Sequence, residues 1–361
     1  NMEQKETKKR GRGRVIAAVL AAILLVLFAL GILLYRDRLT PDKLRETFGR
    51  TDAEVQNAEP FAYEVGSGQA FAVSGNRLAV ASTTGIQLLS DRGATLTHEV
   101  LSMEQPAITV SSTRCVFYDA GGTEMRVTDE EGAVQSVELS GRILSARLNE
   151  ENLLTVITEE TGYKAVVTVY NSELQRIFAW HSGTAYVLGA EVSPNGKNLA
   201  AICVSAEGGG LKMFSLSSEE PVGEYIVASE LFRDLRWTAK DQVCILSDSR
   251  MVFLNTKAEA KNEYSFAGRY LLDYDFGSSF IALLLGDHRA AAGGTLHLVG
   301  ADGRELADRE IGKELLSMSA GSDKLLLLYG DALELCSDGL VTLNSTDKVQ
   351  GVKKALLRRD G

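Results

Sequence analysis

The stretch from Val187 to Ala228 reads VLGAEVSPNGKNLAAICVSAEGGGLKMFSLSSEEPVGEYIVA. It contains four short apolar or alternating runs, separated by the clusters SPNG, SAEGGG and SSEEP. Apolar runs between clusters of turn-forming residues predict β-strands joined by hairpins. Four strands in about 42 residues is the size of one β-propeller blade. Within this unit we interpret Gly208–Gly210 as a flexible hairpin tip.

The same unit recurs along most of the chain. Seven predicted first strands lie near Ala70, Pro106, Ile143, Val187, Leu231, Leu271 and Leu315. Their spacing of about 36 to 45 residues is typical of propeller blades. The predicted second strands, such as NLAAICV and FIALLLG, are nearly continuous apolar runs, which indicates burial on both faces between neighbouring blades. We therefore predict an all-β fold, a β-propeller of four-stranded blades over residues 61–361.

Two pieces of chain outside the seven units bear on the number of blades. Val352–Leu357 resembles another first strand, and Phe61–Val65 resembles a fourth strand without the three that precede it. A propeller closes when strands from both chain ends share one blade. We therefore expect eight blades, the closing one incomplete because the sequence stops inside it. The alternative is a ring of seven blades with an attached tail.

The amino-terminal region predicts a membrane anchor. Residues 1–14 carry six basic side chains, and residues 15–35 follow as 21 residues without a charge. As a helix, the apolar stretch is roughly 30 Å long, the thickness of a bilayer's hydrocarbon core. It exceeds the apolar region of about 7–15 residues found in cleaved signal peptides. We predict a single transmembrane helix, then a juxtamembrane helix and linker over residues 36–60.

The distribution of charge bears on orientation and on partners. Basic residues flank the apolar stretch on both sides, but a short tail with six cations crosses a membrane poorly. We therefore expect a cytoplasmic tail, with the propeller outside the plasma membrane. The net charge is −10, and residues 51–361 hold 27 Lys and Arg against 43 Asp and Glu. Because phosphate affinity depends on clustered cations, we expect no nucleic-acid partner.

The sequence contains no recognisable catalytic or metal-binding motif. It has no GxSxG elbow, no P-loop and no Cys or His pair at metal-ligand spacing, and its four histidines lie in separate stretches. Each of the four cysteines sits inside an apolar run, which predicts thiols packed between sheets. Those cysteines are Cys115, Cys203, Cys244 and Cys336. We expect no enzyme activity, no cofactor and no metal.

Two functional hypotheses remain open. The first is a non-catalytic interaction or scaffold module that binds a protein or an envelope polymer through one face, where the longer loops 158–163, 205–210 and 286–294 lie. The second is a small-ligand sensor or enzyme with a site in the central channel. Its candidate residues are Arg147, Glu191, Arg236 and Asp273. An exposed apolar patch on one face favours the first hypothesis, and convergent polar groups in a pocket favour the second.

Several stretches carry a resemblance to a known family. They are TPDKLR at Thr40–Arg45, TGYKAVVTVYN at Thr161–Asn171 and AYVLGAEVSPNGKNLA at Ala185–Ala200. With the basic tail and the apolar span, the chain resembles domain-of-unknown-function family 5711, bacterial membrane-anchored propeller proteins of the WD-repeat-like and quinoprotein-like kind. The resemblance implies a fold and a place in the cell envelope. It implies no catalytic residues.

Overall fold

The computed structural model describes residues 60–64 and 66–358, which form seven consecutive antiparallel sheets of four strands each. Blades 1 to 3 comprise β1 (Ala70–Ser74), β2 (Arg77–Ser82), β3 (Gly85–Leu89), β4 (Thr95–Val100), β5 (Pro106–Val110), β6 (Cys115–Asp119), β7 (Glu124–Thr128), β8 (Val134–Glu138), β9 (Arg142–Leu148), β10 (Leu154–Glu159), β11 (Ala165–Tyr170) and β12 (Arg176–Ser182). Blades 4 and 5 comprise β13 (Tyr186–Val192), β14 (Asn198–Ser205), β15 (Gly208–Ser215), β16 (Pro221–Val227), β17 (Phe232–Ala239), β18 (Gln242–Ser247), β19 (Arg250–Asn255) and β20 (Ala260–Ser265). Blades 6 and 7 comprise β21 (Tyr270–Phe276), β22 (Phe280–Gly286), β23 (Gly294–Gly300), β24 (Glu305–Ile311), β25 (Leu315–Ala320), β26 (Lys324–Tyr329), β27 (Leu333–Ser337) and β28 (Thr342–Thr346). The fold is an all-β, seven-bladed propeller, as the spacing of the repeats predicts.

The core lies between blades. One cluster joins Ile202 and Leu211 of blade 4 to Phe232 and Leu235 of blade 5, all fully or almost fully buried. Every residue of β22 is buried, which confirms that the apolar second strands are covered on both faces. The outermost strands are more exposed, and all five residues of β28 face solvent. Hydrophobic burial between neighbouring sheets therefore stabilises the joints between blades.

The expectation of an eighth blade is wrong, and the seven-bladed alternative holds. The tail beyond β28 runs along β25, where the Ser319 hydroxyl accepts a hydrogen bond from the Leu357 amide at 3.0 Å. The described tail residues form no strand there, and their backbone groups bond to the Ser317 and Ser319 hydroxyls of β25. At the other end, Tyr63 stacks edge-on against Phe71 and the Glu64 amide donates to Gln87. The two pieces thus lie against different blades.

The predicted hairpin tip at Gly208–Gly210 is instead part of β15. A Cβ atom on Gly210 would lie 1.9 Å from the carbonyl oxygen of Tyr225, and one on Gly209 would lie 2.2 Å from that of Glu230. The glycines therefore allow β16 and the following loop to approach the backbone closely. The three consecutive glycines are therefore explained by close backbone packing and not by a flexible hairpin tip.

The propeller has an upper and a lower end. At the upper end the innermost strand of each blade begins, and at the lower end it finishes. All four cysteines are buried free thiols, as the apolar runs around them predict. The predicted tail, transmembrane helix and linker lie outside the described residues. Within residues 60–64 and 66–358, no helix has the length and apolar character needed to cross a membrane.

Candidate functional site

The innermost strands of blades 3 to 7 share a β-bulge at one position. In blade 4, Val187 pairs with Cys203 and Gly189 pairs with Ile202, so Leu188 has no partner in the ladder. The same irregularity recurs in β9, β17, β21 and β25, whereas β1 and β5 pair regularly. The five bulged residues, called the bulge ring below, are Leu144, Leu188, Arg233, Leu272 and Leu316.

The bulge ring places apolar side chains in solvent near the upper end. Leu144, Leu188 and Leu316 are 44%, 45% and 43% exposed, and Leu272 is half-buried. Arg233 interrupts the series and pairs with the exposed Asp248 at 2.9 Å. A bulge turns a residue out of the regular alternation. This explains how leucines on the innermost strands become exposed.

A second position repeats three residues after each bulge. The five residues at this position, one from each bulged strand, are called the polar layer below. In chain order from blade 3 to blade 7 it holds Arg147, Glu191, Arg236, Asp275 and Ser319. The four charged members alternate in sign from blade to blade. Alternating charges on adjacent strands attract one another, so the layer helps to close this side of the ring.

Arg147 extends beyond its neighbouring blade. Its Nη1 donates to the carbonyl oxygen of Leu235 at 2.8 Å, and its Nη2 binds the carboxylate of Asp234, also on β17. Tyr274 of blade 6 donates its hydroxyl to the other Asp234 oxygen at 3.1 Å. Although burial disfavours the charged guanidinium, Asp234 and Glu191 raise the pKa of Arg147. Side chains from blades 3, 5 and 6 therefore meet at Asp234.

Glu191 is the most buried charged member of the polar layer, with a side chain 7% exposed. Its Oε1 accepts from Arg236 Nη1 at 3.2 Å, and its backbone carbonyl accepts from the Trp237 indole at 2.8 Å. Its Oε2 lies 3.9 Å from Arg147 Nη1, too far for a hydrogen bond. Among the described residues, Glu191 Oε2 and Arg236 Nε are both buried without a hydrogen-bond partner.

Two aspartates of β21 face the same interior. Burial is the main cause that raises the pKa of both Asp273 and Asp275. The negative charge of Asp275 raises the pKa of Asp273 further. Asp275 accepts a hydrogen bond from the Ala320 amide of blade 7 at 2.7 Å. In the same way, the Thr109 hydroxyl of blade 2 accepts a hydrogen bond from the Leu148 amide of blade 3 at 2.9 Å. Such side-chain to amide contacts join consecutive innermost strands.

A cavity of about 330 Å³ opens at the lower end beside the polar layer. Glu191, Arg236, Trp237 and Phe276 contribute to its wall, together with residues from blades 3 and 7. The Arg236 guanidinium lies over the Phe276 ring, 5.8 Å from its centroid. The cavity thus combines an ion pair with an aromatic wall.

Three of the four residues singled out from the sequence come together. Arg147 and Arg236 both approach Glu191, whereas Asp273 lies one residue after its bulge, level with Asp234. Asp234, Tyr274 and Asp275 are further members that sequence reasoning missed. The signal that identifies them is the distance from the bulge, since Asp275 follows Leu272 by the same three residues that separate Arg236 from Arg233. That signal requires the strand register.

Comparison with solved structures supports the fold. The β-propeller domain of Myceliophteria thermophila Cps50 (Swd1) is 11% identical with a TM-score of 0.55, over 74% of this chain and 94% of that one. The C-terminal WD40 domain of Sif2 is 13% identical with a TM-score of 0.57, over 80% and 88%. Kluyveromyces lactis Hsv2p is 10% identical with a TM-score of 0.52, over 77% and 98%. At these identities the likeness shows a propeller fold alone.

Comparison of the sequence with known families is more specific. No curated protein matches the chain significantly. A family model described as a family of unknown function, DUF5711, matches residues 50–344. This match covers most of the chain and nearly all of the propeller, in agreement with the resemblance noted from the sequence. The chain belongs to the DUF5711 family.

Proposed function

We propose that the protein is a non-catalytic interaction module of the cell envelope, held at the plasma membrane by residues 15–35. The observation that carries the proposal is the bulge ring, in which three leucines on innermost strands are more than 40% exposed. Clustered apolar side chains in solvent mark surfaces that bind other proteins. A propeller is a rigid frame for such a surface. The partner is a protein or an envelope polymer that docks on the upper end.

The entry point of the chain fits this arrangement. Phe61 packs against Gly93 in the hairpin between β3 and β4, at the lower end of blade 1. From there the chain rises along blade 1 to Gly66, which lies beside Ser82 and Thr84 near the upper end. The first described residues of the chain therefore lie at the lower end of the propeller, away from the bulge ring. The predicted orientation places the propeller outside the membrane and the basic tail in the cytoplasm.

Protease accessibility tests the location. The full chain carries different peptide tags at its two ends, and intact spheroplasts are treated with protease. The expected result is loss of the carboxyl-terminal tag and protection of the amino-terminal tag. The opposite pattern, or release of the protein without detergent, would contradict the proposed anchoring.

Substitution of the leucines tests the docking surface. The variant changes Leu144, Leu188 and Leu316 to Ser, and the control changes Leu306 to Ser on the outer strand β24, where this leucine is 54% exposed. Both are cross-linked in membranes and captured from detergent. Cross-linked products that disappear in the triple variant and persist in the control support docking at the bulge ring. Products that are equal in both proteins, or lost in both, exclude it.

A further inference from the structure

The outermost strand of blade 7, β28, has an open edge. Among the described residues it pairs only with β27, and all five of its side chains face solvent. Val341, just before the strand, and Leu343, within it, are both more than half exposed. The backbone N–H and C=O groups along such an edge are available to another strand.

β28 also lacks the features that normally prevent edge pairing, which are charged side chains and proline on the outer strand. Each of the other six outermost strands that the structure describes contains at least one charged residue, for example Glu138 in β8, Lys261 in β20 and Asp308 in β24. β28 reads Thr-Leu-Asn-Ser-Thr, with neither a charge nor a proline. Its edge is therefore the least protected of the seven.

A bulge in the ladder does not set β28 apart. The pairing with β27 skips Leu343, and five of the other outermost strands have an irregularity in the corresponding ladder. From Asn344 to Thr346 the pairing of β28 is regular. The absence of charge is therefore the property that distinguishes this edge.

Charge also determines which strand fits the edge. Residues 51–361 hold 27 Lys and Arg against 43 Asp and Glu, so two copies of the chain repel each other. At β28 two copies meet without placing charged side chains of the two strands together. A basic partner is instead attracted to an acidic edge such as β24, where Glu305, Asp308 and Glu310 outnumber Arg309. An uncharged strand of equal length matches β28, and a second copy of the chain supplies one.

We propose that two copies of the protein associate through β28, with the two strands antiparallel about a two-fold axis near Asn344 and Ser345. A two-fold axis presents the same surface on both copies, so the strand is its own complement. Threonine and serine side chains that face each other across such a pair form hydrogen bonds. Leu343 of each copy contacts the facing strand, which removes apolar surface from water. The contact lies on the outer side of blade 7 and is independent of the proposed docking at the upper end.

Cysteine cross-linking of the full chain in detergent tests the pairing. The four native cysteines are buried, so an introduced surface cysteine reports only its own contacts. Asn344→Cys and Ser345→Cys lie at the proposed axis, where facing Cα atoms are about 4.5–5.5 Å apart and a disulfide can form. Thr342→Cys lies at the start of the strand, so its two copies are about 14 Å or more apart. The expected result after mild oxidation is a covalent dimer from at least one central variant and none from Thr342→Cys.

The matched control is Ser136→Cys, in the middle of the outermost strand β8 and exposed as Asn344 is. This variant should stay monomeric. Equal cross-linking of the control, of Thr342→Cys and of the central variants would show random collision and overturn the proposal. Failure of both central variants to cross-link would have the same consequence.

A charge placed on the edge provides a second test. Leu343→Lys, added to the central cysteine variant that cross-links, puts like charges on the two facing strands and should reduce the dimer roughly fivefold or more. Ser136→Lys in the same background is the control and should leave the dimer unchanged. Both positions are exposed, and unfolding midpoints verify the fold. An unchanged dimer with Leu343→Lys contradicts the pairing.

The triple leucine variant of the bulge ring separates this proposal from the docking proposal. Combined with the same central cysteine, it should form the covalent dimer as efficiently as the parent protein. Loss of the dimer in this variant would place the contact between copies at the upper end and refute pairing through β28.

Discussion

Arg147 and Asp234 form an ion pair although their blades are not neighbours. The two residues are 87 positions apart, on β9 of blade 3 and β17 of blade 5, and Glu191 of blade 4 lies between them. The ion pair therefore links blade 3 to blade 5 and skips blade 4. It joins the innermost strands directly, in addition to the apolar packing between adjacent sheets. We expect this pair to matter more to stability than any ion pair on the outer surface.

Replacement of Arg147 by Gln should reduce the free energy of unfolding by roughly 1.5–3 kcal/mol, because it leaves Asp234 without its charged partner in a half-buried place. Replacement of Asp234 by Asn should have a similar effect. The double variant should lose less than the sum of the two single losses. Urea unfolding of the four proteins measures the coupling.

The control for this pair is Arg142→Gln on the same strand. Arg142 pairs with Glu159 at 2.6 Å, but its side chain is 63% exposed. Exposed pairs contribute about 0–1 kcal/mol. Equal losses for the Arg142 and Arg147 variants, or strict additivity of the Arg147 and Asp234 losses, would refute a special role for the pair across the ring.

Asp273→Asn should stabilise the protein near neutral pH, because it removes a carboxylate whose ionised form is disfavoured by burial. Burial raises the pKa of Asp273, so the folded protein holds this proton more tightly than the unfolded chain does. The ionised carboxylate therefore opposes folding above the raised pKa, and this penalty vanishes as the pH falls through the raised pKa and below the ordinary value of 3.8. The asparagine keeps the oxygen that accepts from the Tyr274 amide at 2.9 Å.

Unfolding midpoints of wild type and Asp273→Asn, recorded from pH 7 to pH 3, test this sign. The difference should shrink as the pH falls. A difference that grows in acid would mean that the ionised Asp273 stabilises the fold. Asp248→Asn, whose side chain is 79% exposed, serves as control and should change stability by less than about 0.5 kcal/mol.

Gly210→Ala should destabilise the protein by about 1–3 kcal/mol or more, because the added methyl group collides with the Tyr225 carbonyl. Backbone atoms in a sheet cannot move aside as a flexible side chain can. Gly183→Ala is the matched control, since a Cβ atom there meets nothing within 4 Å. Chemical denaturation compares the two. A tolerated Gly210→Ala would mean that β16 is held less tightly than its pairing indicates.

Leu188→Ala should leave the free energy of unfolding within about 0.5 kcal/mol, whereas Leu235→Ala should cost about 2–5 kcal/mol. Both leucines lie on innermost strands, but Leu188 is 45% exposed at its bulge and Leu235 is fully buried against blade 4. Thermal and urea unfolding separate the two. A large loss for Leu188→Ala would show that the bulge ring supports the fold and is less suited to docking.

The sequence predicts the architecture well because its signals are local. The period near 40 residues and apolar runs such as that of β22 depend only on neighbouring residues and on burial between blades. The bulges are different, since Leu144 and Leu188 look like ordinary members of apolar runs and only their ladder partners show that each is skipped. For the same reason the sequence pattern alone groups Asp273 with Arg236, although Asp275 occupies the equivalent position. The contact of Arg147 with Asp234 depends on the closure of the ring, which no local pattern encodes.

The bulges occur in five blades and are missing from β1 and β5, and one of the five bulged residues is an arginine. A ring of identical blades would present the same face in seven rotational settings, and a docked partner would be free to choose among them. Here each setting brings a different side chain under a given point of the partner. The irregular pattern therefore defines one rotational orientation for a partner on the upper end. A bound partner is fixed in rotation about the propeller axis as well as in position.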